Sequence, residues 1–365
     1  MRISSPLRFA ILAVLLILYF SEWRKNDPRP SDFAAFYSGA ILWEQGHQPY
    51  DPQAVCDVQT RIGVPVCLPF FHPPVLLPLM SAVSNSDYVA SFLRWAVVLS
   101  VVLVLCATPL QKLASCDLLD VLLYITFFPV FVSILQGQDT AFVLLGVLLC
   151  AFFLRDGKDN LAGIALGLTV LRPHLAIAIS IPLLFARPKA FRAFFLTGLV
   201  LVVYSLALVG PEGFRGILNT VLITAKDADA TTQQRAMYNL VGIFSRLGIN
   251  AFWAWPVYIG SIVLISILWR RRGITLSTFG LCILCALFTS PHLHAHDLSL
   301  LLVPLLAWPA FSVPLLSIGF IAAIVFAFEH LFVYALMFTI ALTSESTQFI
   351  FGVRSLVSRW RGDGS

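Results

Sequence analysis

The run His292-Leu-His294-Ala-His296-Asp297 gathers three of the chain's seven histidines beside a carboxylate. In a helix His292 and His296 share a face, and in an extended strand all three histidines do. Two histidines and a carboxylate suit zinc, but no other cluster stands ready to complete the ion's shell. A polar patch that can take up protons and face phosphate or sugar is the better reading. No cofactor is required on that reading, and a divalent metal is the alternative.

Arg172-Pro173-His174 breaks a long apolar stretch from Leu161 to Ala186. Proline removes a backbone donor there, and an arginine at such a depth must meet water, a headgroup or an anion. Snorkelling to the interface and holding a lipid phosphate explain it equally well. Gln136-Gly137-Gln138-Asp139 forms a tight turn between two apolar runs. Its amides and carboxylate are either simply solvated or placed to hold sugar hydroxyls. Asp32 opens Asp32-Phe-Ala-Ala-Phe-Tyr-Ser-Gly-Ala40. Ser31-Asp32 makes a good helix N-cap; alternatively the Asp32 carboxylate is a general base toward a hydroxyl. Taken on chemistry alone, the cap is favoured. Cys56 and Cys67 fall in a long polar segment, where an extracytoplasmic location would let them pair.

The elements that position these groups are membrane helices. Of 365 residues 59% are hydrophobic and 12% charged, with a mean hydropathy of +0.87. Soluble domains carry about 25% charged residues. The net charge of +5 sits in short clusters between apolar runs, the pattern of cytoplasmic loops and not of a nucleic-acid stripe. The runs fall near 6–22, 88–110, 118–135, 138–154, 160–172, 173–186, 190–210, 250–269, 274–290, 297–311, 313–328 and 330–343. They imply an all-α polytopic protein of about 10–13 membrane helices. The first run has no small-residue cleavage site behind it and reads as an uncleaved span.

The positive-inside rule puts Arg2/Arg8, Lys112, Arg155/Lys158, Arg187/Lys189/Arg192, Arg270–Arg272 and Arg354/Arg359/Arg361 in the cytoplasm. Walking the spans from a cytoplasmic N-terminus satisfies every cluster on one condition. The run Phe70 to Val83, interrupted by Pro73, Pro74 and Pro78, must begin and end outside. The segments 23–87, 136–139, 171–174, 211–249 and 290–297 then share the outer face. One membrane domain over 1–343 and a basic cytoplasmic tail over 344–365 complete the expected organisation, in a bacterial inner (plasma) membrane.

In their order these motifs resemble glycosyltransferase family 87, enzymes of GT-C fold that include polyprenol-phosphate-mannose-dependent mannosyltransferases. The shared elements are Asp32 with Phe36-Tyr37 and Ala40, and Gly46 with Pro49-Tyr50-Asp51. Phe71-His72-Pro73-Pro74, Gly137-Gln138, Arg172-Pro173 and Ser290-Pro291 followed by His296 come next. The likeness spans roughly residues 10–310 and lies in order and spacing, not in any one motif. It implies a polyprenyl-phosphate sugar donor and an external lipid or glycan acceptor. Asp32 would then be the catalytic base of an inverting transfer, which reverses the reading from chemistry alone. Arg172, His292, His294 and His296 would stabilise the departing phosphate, with Tyr37, His72, Gln138, Asp139 and Asp297 around the sugar or acceptor. Two departures bear on the donor sugar: His72 stands where the family usually has tyrosine, and Arg172 where lysine is frequent. No nucleotide-binding motif is present. The rival is a non-enzyme, a flippase for lipid-linked sugars or a transporter, but no internal repeat or mid-span polar motif supports it.

Overall fold

The computed structural model describes residues 4–25, 31–64, 67–226, 233–307, 312–325 and 329–341. The expected tail over 344–365, with Arg354, Arg359 and Arg361, and Arg2 lie outside the described residues. Among the described residues the chain is helical throughout, with no strand. The helices are α1 (Ser5–Lys25), α2 (Ser31–Glu44), α3 (Pro52–Arg61), α4 (Leu77–Val83) and α5 (Tyr88–Ala114). Then come α6 (Leu118–Ile125), α7 (Phe128–Leu135), α8 (Thr140–Arg155), α9 (Asp159–Leu166), α10 (Pro173–Ala186) and α11 (Pro188–Lys226). Further along follow α12 (Leu240–Arg246), α13 (Ala254–Arg272), α14 (Leu276–Thr289), α15 (Leu302–Leu305) and α16 (Ser312–Val325).

Side chains sort as a bilayer demands. On α5, Trp95, Leu99 and Cys106 are buried, whereas Val97, Val101 and Val104 on the other face are exposed. Apolar residues turned outward in this density are solvated by lipid tails, not water.

Three helices among the described residues are long and apolar enough to cross a membrane: Tyr88–Ala114, Pro188–Thr220 and Ala251–Arg272. A fourth arises if α6 and α7, bent by 58°, count as one span. The other apolar helices have 10–17 residues, short of the ~20 that a full hydrocarbon core requires. The long helices, the bent pair and the shorter apolar helices together make up the membrane helices expected. Helices α7, α8, α10 and α14 each have one end at a common cavity. One difference lies at 190–210, expected to end in an external loop. Gly210, at φ 66°, kinks the chain and Pro211 restarts it, so α11 continues to Lys226.

Ion pairs fix which breaks share an end of the bundle. Arg8 Nη1 lies 2.8 Å from both Asp117 Oδ2 and Asp120 Oδ1. Arg155 donates to the carbonyl of Lys112, and Arg187 stands 3.6 Å from Asp159. The breaks of Arg8, Lys112, Arg155 and Arg187 therefore collect at one end, as the charge pattern requires. The segment Phe70–Val83 stays at the opposite end. Phe70 packs on Gly39 and Phe36 of α2, and just beyond Val83 the Asn85 carbonyl accepts from Tyr37 of the same helix. Both of its ends face α2, so it does not cross.

Cys56 and Cys67 are joined as a disulfide with Cα atoms 4.8 Å apart. Gln59, wholly buried between them, donates to the Leu68 carbonyl and accepts from the Leu68 amide, which holds the returning strand of that loop.

Candidate active site

A cavity of about 1310 Å³ opens at the end of the bundle away from the basic breaks. One wall is polar and carries Asp32, His72, Gln136, Gln138, Arg172 and His296. The other comes from residues 233–255, where Arg235, Tyr238, Asn250, Phe252 and Trp255 face inward.

Arg172 is the hub of the polar wall. The 3-10 turn Gly167–Leu171 runs into it, and its own backbone is extended at φ −127° and ψ 79°. Pro173 then starts α10 at its first position, where a missing N–H costs nothing. The break that proline forces is what turns the guanidinium inward. Arg172 Nε donates to Asp297 Oδ1 at 3.0 Å, Nη2 donates to Gln138 Oε1 at 3.0 Å, and Nη1 lies 2.9 Å from Asp139 Oδ1. Asp139 and Asp297 are 0% exposed. A buried guanidinium is tolerable only with such partners, and the reverse holds for the two carboxylates.

Gln138 carries the network forward. Its Nε2 donates to Asp32 Oδ2 at 3.0 Å while its Oε1 accepts from Arg172. One amide thus couples the carboxylate at the cavity to the buried cation. Asp32 is the second residue of α2 and its carboxylate turns to Gln138, so it does more than cap the helix. His72 Nδ1 lies 3.2 Å from Asp139 Oδ2, its ring stacked on Phe36 at 3.8 Å. Burial pushes the Asp139 carboxyl up, but Arg172 and His72 outweigh it and hold it below the usual range.

The histidines form a row. Ring centroids of His174 and His292 are 6.2 Å apart, those of His292 and His294 4.6 Å, and those of His294 and His296 6.0 Å. Burial and then His294 push His292 well below the ordinary histidine range. Asp297 Oδ2 accepts from the His294 backbone N–H at 3.1 Å and orders the start of the segment. Among the described residues no three histidine, cysteine or acidic side chains are grouped to hold a metal ion.

The fold thus gathers Asp32, His72, Gln138, Asp139, Arg172, His292, His294, His296 and Asp297 at one place. Asp139 and Asp297 stand behind Arg172 and do not line the cavity. Tyr37 stays outside it as well; its hydroxyl donates to the Asn85 carbonyl at 2.7 Å and its ring meets Tyr88 edge-on. Cys56 and Cys67 staple the loop after α3 and do not line the cavity.

A family model for glycosyltransferase family 87 matches residues 70–291, more than half of the chain. The chain belongs to glycosyltransferase family 87. No curated protein and no solved structure matches it. This family 87 protein is therefore a sugar-transferring membrane enzyme. The matched stretch holds His72, Gln138, Asp139 and Arg172, while Asp32, His292, His294 and His296 lie outside it and reach the cavity through the fold, with Asp297 behind Arg172.

Three cavity groups were not singled out from the sequence as site residues. Gln136 stands 3.1 Å from His296 Nδ1, His174 lines the cavity, and residues 233–255 form its far wall. Gln136 and His174 sit within motifs already conspicuous, so inclusion of whole motifs would have found them. The far wall has no compositional signal.

Gly137 tests how tightly the turn is built. It holds φ +70°, and an added Cβ would lie 2.8 Å from Cβ of Phe33, the neighbour of Asp32. Gly137→Ala is expected to cost about 1–3 kcal/mol through the left-handed backbone alone and to displace Asp32. A lower thermal midpoint together with slower transfer checks this; an unchanged midpoint and rate would contradict it.

Proposed function

We propose that this enzyme moves a hexose, mannose in the first instance, from a polyprenyl-phosphate donor to a lipid or glycan acceptor outside the cytoplasm, with inversion. The observation that carries the reading is the Asp32–Gln138–Arg172 relay. It sets a carboxylate at the cavity and ties it to a cationic, histidine-lined wall. Asp32 takes the proton of the acceptor hydroxyl as that oxygen attacks the anomeric carbon. The bond to phosphate breaks on the opposite face, and charge developing on the phosphate meets the histidine row and the Arg172 dipole network. Arg172 spends its guanidinium on protein partners, so its role is to fix the field and hold Gln138, with the histidines nearest the phosphate. Asp139 and Asp297 act through Arg172, and His72 and Gln138 border the sugar.

The size of the cavity exceeds that of a single small-ligand pocket and suits a donor sugar and an acceptor together. Exposed Leu247, Phe252, Trp253 and Trp255 edge the far wall, a surface on which lipid chains of either substrate can lie. The Cys56–Cys67 disulfide favours the oxidising side of a bacterial inner (plasma) membrane for this end. On the same reading the chain is one GT-C-type membrane domain.

Purified protein given polyprenyl-phosphate mannose, glucose or arabinose with a lipid-extract acceptor is expected to use one of them. Transfer from a nucleotide sugar in place of all three would overturn the donor class. For sidedness, a cysteine placed at Asp156 is expected to resist an impermeant maleimide applied to intact cells. Rapid labelling there would reverse the topology.

A further inference from the structure

Gln136 ends α7 as its C-cap and lines the cavity. Its Oε1 stands 3.1 Å from Nδ1 of His296, and the other ring nitrogen, Nε2, stands 3.5 Å from Asp297 Oδ2. His296 is therefore held between an amide and a carboxylate. A neutral imidazole has one donor and one acceptor nitrogen, whereas an imidazolium has two donors. Asp297 can only accept. The amide can present either end, because its N and O exchange places by a half-turn. With its NH2 toward Nδ1, the neutral ring is satisfied and keeps its proton on Nε2, facing Asp297. With its carbonyl toward Nδ1, the ring is satisfied only when both nitrogens carry protons.

The charges around the ring make a second proton useful. Burial above all holds the free ring neutral; Asp297 on its own segment and Asp32 from α2 favour the cation, whereas Arg172 from the break before α10 and the neighbouring His294 oppose it. Asp139 faces Arg172, and His72 faces Asp139. Arg172 meets Asp139 and Asp297 directly and is tied to Asp32 through Gln138. An incoming phosphate adds negative charge beside a guanidinium already paired with Asp139 and Asp297; among the described residues the other cation lining the cavity is Arg235, on the far wall.

We propose that Gln136 is a positioning residue that lets His296 take up a proton from water when the donor phosphate binds. This rests on the lipid-phosphate reading given above. On binding, the amide turns its carbonyl to accept from Nδ1–H, and Nε2–H serves Asp297. No covalent bond forms or breaks, and the proton returns to solvent when polyprenyl phosphate leaves. His296 thus becomes the counter-charge of the leaving group only while that group is present.

Titration calorimetry with farnesyl phosphate, in buffers of different ionisation enthalpy at pH 7.5, reads this directly. Wild type is expected to take up about one proton per phosphate bound. Gln136→Leu removes the acceptor for Nδ1–H, so uptake is expected to fall toward zero and affinity by roughly 10–100-fold, the worth of a hydrogen bond to a charged group. Gln136→Glu keeps an acceptor and charges the ring beforehand, so uptake falls while binding is weakened less. His296→Asn is expected to abolish uptake. If Gln136→Leu weakens binding with proton uptake unchanged, or if uptake persists in His296→Asn, the proposal is wrong. Farnesyl phosphate bound by wild type without proton uptake overturns this proposal alone. No binding by wild type overturns the lipid-phosphate reading and this inference with it.

Discussion

Asp32→Asn is expected to lower kcat by roughly 10²–10⁴-fold, the range that general-base catalysis supplies, while leaving donor affinity within a factor of about three. The rate loss corresponds to about 3–5 kcal/mol of barrier. The argument turns on what asparagine keeps. Its side-chain carbonyl can still accept from Gln138 Nε2, so the 3.0 Å contact and the Arg172 network behind it survive. What is lost is the ability to take a proton from the acceptor hydroxyl. A mutation that removes an interaction made only in the transition state lowers kcat and kcat/KM together. A variant that mainly raises the KM for donor would instead assign Asp32 to sugar binding. Retention of most wild-type turnover would remove it from the chemistry. The same logic separates it from Gln138: Gln138→Leu unties Asp32 from Arg172 and is expected to disturb both kinetic constants.

How much of this was legible in the sequence depends on range. Local rules reached far: Arg172-Pro173 reads as a helix break because proline dictates one, and it turned out to aim the guanidinium inward. The charge walk placed Arg8, Lys112, Arg155 and Arg187 at one end, which their contacts bear out. That Phe70–Val83 begins and ends on one side, as a re-entrant or interfacial helix, followed from that walk and its prolines. What stayed hidden was pairing across the fold. Nothing in Arg172 names Asp297, 125 residues away, or Gln138, 34 residues away, as partners. Tyr37 shows the converse: it lies in the same motif as Asp32, yet α2 turns one residue to the cavity and the other to Asn85. Hydropathy found the apolar helices but could not say which of them have an end at the cavity.

Arg172→Met should prove the most destabilising substitution at the site, and the direction of its pH dependence is the diagnostic. Methionine fills much of the volume but strands Asp139 and Asp297, both 0% exposed. Removing one partner of a buried ion pair costs about 3–5 kcal/mol, because a charge remains without compensation. In the wild type Arg172 and His72 hold the Asp139 carboxyl below its ordinary range against burial. Its contribution to stability is thus fully present above the unfolded carboxylate pKa and is lost as pH falls through the lower folded value. Without Arg172, burial dominates and raises the folded value above the unfolded one. The variant should then gain stability as pH falls through that raised value, while the wild type gains none or weakens. Thermal midpoints of detergent-solubilised protein at pH 5 and pH 7.5 distinguish the two slopes. Adding Asp139→Asn and Asp297→Asn to Arg172→Met should recover much of the lost stability, since amides tolerate burial that lone carboxylates do not. It should not recover transfer, because Gln138 would still lack the cation that aligns it. An Arg172→Met protein as stable as wild type at pH 7.5, or one with the wild-type pH slope, would mean that the two carboxylates find their compensation elsewhere. Transfer restored in the triple variant would show that the buried cation serves folding alone.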